Sequence, residues 1–245
     1  MSRWWYRPTS AAIEPRLRLI CFPYAGGWPR VFRPWAARLP ADVELVAVRM
    51  PGRESRFAER PYTDWPTLAE DAAEALGPLL DVPTVLFGHS FGGMLAYEVA
   101  RLLNRRGTAN LESLVVSGCR SPLVRPPWRA PYDAPSDALW TWLAHIEGTP
   151  AEVLADRQLR ALTEPTLRAD LKLADAWNGE PETVDLPIVT FGGTNDPIVP
   201  RQDIESWRNF TARTYRHVEF AGGHFFIHSL EAEVVAEVSM LCQAA

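Results

Sequence analysis

The chain has 245 residues, of which 47% are hydrophobic and 22% are charged, and its formal net charge is −5. These values are those of a globular protein with a large core, and the acidic balance argues against nucleic acid as the main ligand. No apolar run approaches the roughly 18 residues of a membrane-spanning helix, and the N-terminus lacks the apolar stretch of a secretory signal.

We therefore predict one domain over residues 1–245 that stays in the cytoplasm and does not bind a membrane. The three cysteines, Cys21, Cys119 and Cys242, are far apart in the sequence and form no CxxC pair. Their number and spacing favour free thiols over a disulfide framework or a zinc site. No large uncovered apolar surface is evident from the pattern, which favours a monomer.

Apolar runs and amphipathic segments alternate along the chain. Strands are predicted at residues 16–22, 43–48, 83–87, 111–116, 186–191 and 217–220. Helices are predicted at residues 67–80, from 91 or 92 to about 106, and at 231–241. Strands that alternate with helices indicate an α/β fold, with a mostly parallel sheet covered by helices on both faces.

The segment from about residue 121 to 182 interrupts this alternation. It begins rich in proline and tryptophan and then shows helical patterns at residues 138–147, 151–162 and 166–177. It is too long for a simple crossover and too short for a second domain, so we interpret it as a helical lid inserted over a site. We call residues 121–182 the lid segment.

The pentapeptide GHSFG at residues 88–92 matches the G-x-S-x-G pattern of a nucleophile elbow. In such an elbow the serine lies on a strained strand-to-helix turn, and the glycines avoid collisions with the neighbouring strand and helix. The pentapeptide alone is a weak signal, but an apolar strand precedes it and an amphipathic helix follows it. We therefore predict Ser90 as a nucleophile, over the alternative of an ordinary glycine-rich turn.

A serine hydroxyl needs a base, and of the five histidines His224 is favoured because it follows the last predicted strand directly. The carboxyl ends of the strands in an open α/β sheet carry the ligand site. The orienting acid should come between serine and histidine in the chain. Asp196, in the loop after the strand ending at Phe191, is favoured over Asp185 and Asp203, although an aspartate before proline is also a common turn-former.

Two backbone N–H groups are expected to form an oxyanion hole. One is that of Phe91, directly after the serine. The second should come from the loop after the first strand, where Ala25 is the first choice and Gly26 the next. A plain glycine turn explains this loop about equally well. Together these features predict an α/β-hydrolase fold with a Ser90–His224–Asp196 triad.

The motifs also resemble a family. The sequences CFPYAGG at residues 21–27, MPGRE at 50–54, GHSFGG at 88–93 and GGHFF at 222–226 are similar to those of the type II thioesterases. These are stand-alone editing hydrolases of polyketide and nonribosomal peptide assembly lines. The lid segment adds GTP at 148–150, EVL at 152–154 and LRAD at 167–170, and the resemblance covers residues 5–241.

The resemblance implies an acyl thioester substrate on the phosphopantetheine arm of an acyl or peptidyl carrier protein, with Ser90, Asp196 and His224 on the family's triad positions. It implies hydrolysis without a metal or soluble cofactor. One departure is Trp28-Pro29 after the Ala-Gly-Gly turn, where many relatives have small residues, so a bulky indole is expected to narrow the acyl pocket. The alternatives are an esterase or lipase acting on free esters, an acyltransferase that uses the same triad, and a non-catalytic binding protein.

Because carrier proteins are usually acidic, a basic docking patch is expected near the entrance. Its candidates are Arg30, Arg33, Arg120, Arg125 and Arg129. For each of these residues taken singly, an ordinary solvated arginine is the simpler explanation.

Overall fold

The computed structural model describes residues 3–8, 14–126, 129–146, 148–149, 151–179 and 181–244. Two predicted positions, residue 147 at the end of the first lid helix and Pro150 of the GTP motif, lie outside these residues. Seven strands form one sheet in the order β1-β3-β2-β4-β5-β6-β7. The strands are β1 Trp5–Tyr6, β2 Leu17–Phe22, β3 Val43–Val48, β4 Thr84–His89, β5 Leu111–Ser117, β6 Ile188–Gly193 and β7 Tyr215–Phe220.

Strands β2 to β7 are parallel, as the alternation of apolar and amphipathic segments predicts. All residues of β2, β3 and β4 are buried, which explains why these strands are apolar runs without a polar face. Alternate residues of β2 face opposite cores: Ile20 lies in one and Leu19 in the other. The chain leaves β2 toward β3 on one side and returns through β4 on the other, so a crevice is expected at the carboxyl ends of β2 and β4.

Helices cover both faces of this sheet. They are α1 Trp65–Leu76, α2 Phe91–Arg105, α3 Ser136–His145, α4 Ala151–Ala155, α5 Arg157–Ala176, α6 Arg201–Glu205, α7 Phe226–Ser229 and α8 Glu231–Ala244. Short 3-10 turns lie at Pro29–Phe32, Pro34–Ala37, Glu54–Arg56, Gly77–Leu79 and Ser206–Phe210. Helices α1 and α2 pack on one face and α8 on the other. Within the described residues, none of the helices has both the length and the apolar character required to cross a membrane.

Strand β1 was not predicted from the sequence. Its two residues pair antiparallel with β3, Trp5 opposite Val48 and Tyr6 opposite Ala47. A two-residue strand is too short to produce an alternating pattern, so the sequence carries no periodic signal for it.

The lid segment contains α3, α4 and α5 between β5 and β6. The prediction of a break between residues 162 and 166 was wrong, because α5 continues through Pro165 from Arg157 to Ala176. Proline removes one backbone hydrogen bond and usually ends a helix. Here Leu167 and Leu171, on the turns after Pro165, pack into the lid's apolar cluster with Leu139 and Leu143 of α3. That burial favours one continuous helix.

Candidate active site

Ser90 lies at the sharp turn between β4 and α2, with φ 54° and ψ −120°. This is a conformation that residues with a side chain rarely adopt, and it persists only where the surrounding structure holds it. The N–H of Ser90 donates to the carbonyl of Ser117 at 2.8 Å, and the carbonyl of Ser90 accepts from the N–H of Gly93 at 2.8 Å. The turn is therefore tied to both the neighbouring strand and the first turn of α2.

The two glycines of the elbow are required by close backbone packing. A Cβ on Gly88 would collide with the backbone of Gly92, and a Cβ on Gly92 would collide with the carbonyl of Phe22 at the end of β2. The helix thus starts in van der Waals contact with two strands. Any larger residue at these positions would displace the turn that holds Ser90.

His224 and Asp196 meet at the carboxyl ends of β6 and β7. His224 Nδ1 and Asp196 Oδ2 are 2.8 Å apart, and the two side chains are 2% and 0% exposed. Asp196 Oδ1 accepts from the N–H groups of Ile198 at 2.8 Å and Val199 at 3.0 Å. Because these two donors fix one carboxylate oxygen, the other is directed at the imidazole. A proton on Nδ1 then leaves Nε2 as the basic nitrogen.

Neither of the two other candidate acids, Asp185 and Asp203, forms a hydrogen bond with His224 within the described residues. Asp185 forms an exposed ion pair with Arg213, and Asp203 lies in α6, as expected from the sequence. Asp203 does line the cavity beside Ser90, but the hydrogen bond to His224 comes from Asp196.

The other histidines have different partners. His145 Nδ1 lies 2.7 Å from the carbonyl of Thr141, His217 Nδ1 lies 2.9 Å from Thr190 Oγ1, and His228 Nε2 lies 3.0 Å from Tyr24 Oη. The choice of His224 among the five histidines therefore agrees with the hydrogen bonding.

His89, inside the elbow, is fully buried behind His224, with 5.1 Å between the ring centroids. Its Nδ1 lies 2.9 Å from Ser117 Oγ. Burial, with a smaller contribution from the neighbouring His224 and His228, holds the pKa of His89 well below its usual range. His89 is therefore neutral at pH 7 and adds no positive charge behind His224.

Ser90 and His224 line one cavity of about 110 Å³ under the lid segment. Most of its wall is apolar, and α3 and α5 contribute Leu143, Leu167 and Leu171 to it. A second cavity of about 300 Å³ shares Tyr24, Ala25, Leu143, Leu167 and Phe225 with the first.

Trp28 lines the second cavity and not the one that contains Ser90. The expectation that the indole narrows the acyl pocket therefore applies to the space beyond Ala25 and not to the cavity around the nucleophile.

The expected oxyanion donors lie at the ends of β2 and β4. Phe91 is the first residue of α2, where a backbone N–H has no partner inside the helix. The N–H of Gly26 donates to Asp170 Oδ2 at 2.7 Å, so it is already engaged. No hydrogen bond is formed by the N–H of Ala25 or Phe91 within the described part of the chain. The geometry therefore favours Ala25 over Gly26, in the order that the sequence suggested.

Sequence reasoning missed Asp170 and Arg53 as site residues. Both are buried, and the guanidinium of Arg53 pairs with the carboxylate of Asp170 beside the loop that carries Ala25. The two residues are 117 positions apart, so spacing gives no sign of the contact. The motifs MPGRE and LRAD contain them but do not reveal that they meet.

One candidate for the basic docking patch was wrong. Arg120 is only 6% exposed and donates to the carbonyls of Val124 at 2.7 Å and Ala174 at 3.1 Å. Its guanidinium also lies over the ring of Trp177. Arg120 therefore holds the start and the end of the lid segment together and is not available for docking.

The other four arginines of the predicted patch are exposed. Arg30 pairs with Glu54 at 3.0 Å and Arg129 pairs with Asp133, whereas Arg33 forms no ion pair among the residues that the structure describes. As for metal ions, no group of three or more histidine, cysteine, aspartate or glutamate residues in the described ranges is arranged to hold one.

A serine on a strained strand-to-helix turn, with a buried histidine–aspartate pair at the carboxyl ends of β6 and β7, defines a serine hydrolase of the α/β-hydrolase class. Comparison with known proteins narrows this class. Residues 17–241 match the thioesterase domain family. The chain belongs to the thioesterase family and is a hydrolase that acts on thioesters.

The relatives agree with this assignment. The gramicidin S biosynthesis protein GrsT of Aneurinibacillus migulanus is 33% identical over 234 residues, which are 94% of this chain and 91% of that protein. Thioesterase PikA5 of Streptomyces venezuelae is 31% identical over 237 residues, 96% of this chain and 84% of that protein.

Among solved structures, the type II thioesterase BorB from the borrelidin biosynthetic cluster is similar with a TM-score of 0.90 and 30% identity, covering 97% of both chains. The RedJ thioesterase from the prodiginine pathway of Streptomyces coelicolor is similar with a TM-score of 0.86 and 35% identity, covering 95% of both chains. The resemblance to type II thioesterases seen in the sequence motifs is confirmed.

Proposed function

We propose that this enzyme removes acyl groups from the phosphopantetheine arm of an acyl or peptidyl carrier protein, by hydrolysis of the thioester through an acyl-enzyme on Ser90. The observation that carries the proposal is the His224–Asp196 pair, buried and hydrogen-bonded, at the cavity that the strained Ser90 also lines. The relatives named for gramicidin S and borrelidin biosynthesis support an editing role on a polyketide or nonribosomal peptide assembly line.

The first half of the reaction acylates the enzyme. Ser90 Oγ attacks the thioester carbonyl while His224 Nε2 takes its proton, and Asp196 stabilises the imidazolium that forms. The negative charge that develops on the carbonyl oxygen is held by the N–H groups of Phe91 and Ala25. Removing one such donor typically costs about 10²–10³ in rate. The C–S bond then breaks, and His224 gives its proton to the leaving thiolate sulfur, so that the carrier's thiol departs.

The second half releases the acid. A water molecule gives a proton to His224 Nε2 as it attacks the acyl-enzyme carbonyl, and the same two N–H groups hold the second oxyanion. The bond to Ser90 Oγ breaks as His224 returns the proton to that oxygen. Every step uses groups of the chain and water, so the proposed reaction requires no metal or soluble cofactor.

The cavities favour an acyl substrate with an apolar part. The walls contributed by α3 and α5 are largely aliphatic and aromatic, and the second cavity extends this surface past Ala25. Burial of an acyl chain against such walls is favourable by about 0.8 kcal/mol per CH₂ group. We infer that the lid segment sets the preferred length of the acyl chain, through the cavities on both sides of the loop at Ala25.

The proposed partner is an acidic carrier protein that docks transiently at the exposed arginines Arg30, Arg33, Arg125 and Arg129, of which Arg129 lines the cavity beside Ser90. Charge reversal at Arg30, Arg33 and Arg125 together is expected to lower kcat/KM toward the acyl-carrier protein at least about tenfold, since electrostatic steering changes the association rate. Hydrolysis of a short acyl thioester of N-acetylcysteamine should be unchanged. Equal rates on the carrier substrate would contradict the docking surface. We also propose that the enzyme is a monomer in the cytoplasm, and light scattering would measure its oligomeric state.

The decisive experiment measures release of acid from a short acyl-phosphopantetheinyl carrier protein by the wild type and by Ser90→Ala. Ser239→Ala, on α8 and away from both cavities, is the matched control. We expect turnover by the wild type and the control, and a loss of at least about 10³-fold in Ser90→Ala.

Three other results would contradict the proposal in different ways. A strong preference for oxygen esters over thioesters would indicate an esterase. Preferential transfer of the acyl group to an added alcohol or amine would indicate an acyltransferase. Absence of labelling of Ser90 by a fluorophosphonate, with no turnover, would indicate a binding protein.

A further inference from the structure

The loop at residues 24–27 passes between the two cavities, and its middle is fixed by a residue of the lid segment. Asp170 of α5 is buried, and its Oδ2 accepts the N–H of Gly26 at 2.7 Å. Gly26 directly follows Ala25, and its φ is +70°. The hydrogen bond therefore fixes the peptide plane next to the one that carries the N–H of Ala25.

Arg53 holds the same loop from the other side. Its Nε donates to the carbonyl of Gly27 at 2.8 Å, and its Nη1 donates to the carbonyl of Pro51 at 3.0 Å. The remaining arm of the guanidinium pairs with Asp170. Arg53 is 1% exposed, so its three contacts are made without competition from water.

Helix α5 approaches both loops closely. A Cβ on Gly26 would lie 2.9 Å from Leu167 Cδ1, and Thr166 Oγ1 donates to the carbonyl of Gly52 at 3.3 Å. One face of the helix thus rests on the loop after β2 and on the loop after β3. Neither loop can shift without disturbing the contact with α5.

We propose that Arg53 and Asp170 are positioning residues, which hold the loop at residues 24–27 so that the N–H of Ala25 points at the developing oxyanion. Asp170 does this in two ways, because it occupies the N–H of Gly26 and also orients Arg53 on the carbonyl of Gly27. The assembly of the oxyanion hole depends on the lid helix α5, and not on the sheet alone. This inference rests on the proposed acyl-enzyme chemistry of Ser90.

The test compares Asp170→Ala, Asp170→Asn and Arg53→Lys with the wild type. Asparagine keeps an oxygen that can accept from Gly26 and Arg53, whereas alanine removes both contacts. We expect kcat to fall about 10²–10³-fold in Asp170→Ala, as on loss of an oxyanion donor, with KM within about twofold. Asp170→Asn should recover most of the activity. Arg53→Lys should lose about tenfold, because lysine keeps the charge but not the fork that reaches Gly27 and Pro51.

A binding measurement separates positioning from a merely structural role. A boronic acid that forms a tetrahedral adduct with Ser90 uses the oxyanion hole, whereas a thioether analogue of the substrate does not. In Asp170→Ala the affinity for the boronate should fall by about the same factor as kcat, and the affinity for the thioether should be unchanged. Glu44→Ala, which removes the carboxylate of another buried ion pair, with Arg18, is the control for lost stability and should leave both affinities unchanged.

The inference would be overturned if Asp170→Ala and Arg53→Lys kept kcat within threefold of the wild type, or if boronate and thioether affinities fell together. The boronate measurement and turnover of a 4-nitrophenyl ester do not require a carrier substrate. Failure of the wild type on acyl-carrier protein alone would therefore count against the proposed function, and the positioning role would still be tested.

Discussion

Replacing Asp196 with asparagine tests the proton chemistry of the site with little change of shape. Oδ1 of Asp196 accepts from the N–H groups of Ile198 and Val199, and both donors persist in the variant. They therefore select the orientation in which the amide oxygen of the asparagine faces them. The NH₂ group must then point at His224 Nδ1, where the carboxylate oxygen lies in the wild type.

A donor facing Nδ1 reverses the tautomer of His224. Nδ1 becomes an acceptor, Nε2 carries the proton, and the imidazole can no longer take a proton from Ser90. In the serine-protease template the equivalent change lowers kcat by about 10⁴. At about 1.36 kcal/mol for each factor of ten, this corresponds to about 5.4 kcal/mol of lost transition-state stabilisation. We expect the same magnitude here, because the imidazole and the aspartate are equally sheltered from water.

The assay is steady-state hydrolysis of an acyl thioester, with the thermal midpoint measured on the same samples. Asp185→Asn is the matched control, since Asp185 forms only an exposed ion pair with Arg213 and should change kcat less than twofold. A loss of less than tenfold in Asp196→Asn, with unchanged stability, would refute the assignment of Asp196. A comparable loss in Asp185→Asn would refute the reasoning from hydrogen bonding.

Three further predictions concern stability. In Gly92→Ala the new methyl group collides with the carbonyl of Phe22, so the free energy of unfolding should fall by about 3 kcal/mol in a urea titration. An unchanged midpoint would contradict the packing of the elbow. Burial lowers the pKa of His89, so its contribution to stability is present above pH 6.5 and is lost as the pH falls below it. Between pH 6.5 and 5.5 the wild type should lose about 1 kcal/mol more stability than His89→Asn, and parallel profiles would be the contrary result. Arg120→Met loses the carbonyl contacts and the stacking on Trp177, so the free energy of unfolding should fall by about 3 kcal/mol. The ratio of kcat/KM on the carrier substrate to kcat/KM on a small thioester should stay constant. A changed ratio would place Arg120 on the docking surface after all.

The parts of the fold that repeat a local pattern could be predicted from the sequence. Strand β3 has the predicted bounds, and β2 and β5 differ from prediction by one residue. Strand β4 runs two residues further, to His89, because the glycine and histidine before the serine continue the extended conformation into the elbow. The triad candidates were found because each follows a strand in a parallel sheet, and strand ends of that kind meet at one edge.

What the sequence could not predict depends on contacts between distant segments. The continuity of α5 through Pro165 is decided by packing on α3, which outweighs the local preference of proline. The choice between Ala25 and Gly26 needed the position of Asp170, a residue on another element. Arg120 looked like a surface charge because arginine is usually exposed, and only the fold shows the carbonyls that surround its guanidinium.

The position of the lid segment has a consequence for how such enzymes diversify. Ser90, Asp196 and His224 come from the ends of β4, β6 and β7, whereas α3 to α5 are inserted between β5 and β6. If the lid segment sets acyl selectivity as proposed, exchanging this insertion between relatives would alter selectivity and leave the strands that carry the proposed triad uninterrupted. The exchange has one requirement, however: the transplanted helix must carry an acidic residue that pairs with Arg53, as Asp170 does here. A chimaera that lacks this carboxylate would have the new acyl specificity but a lower kcat.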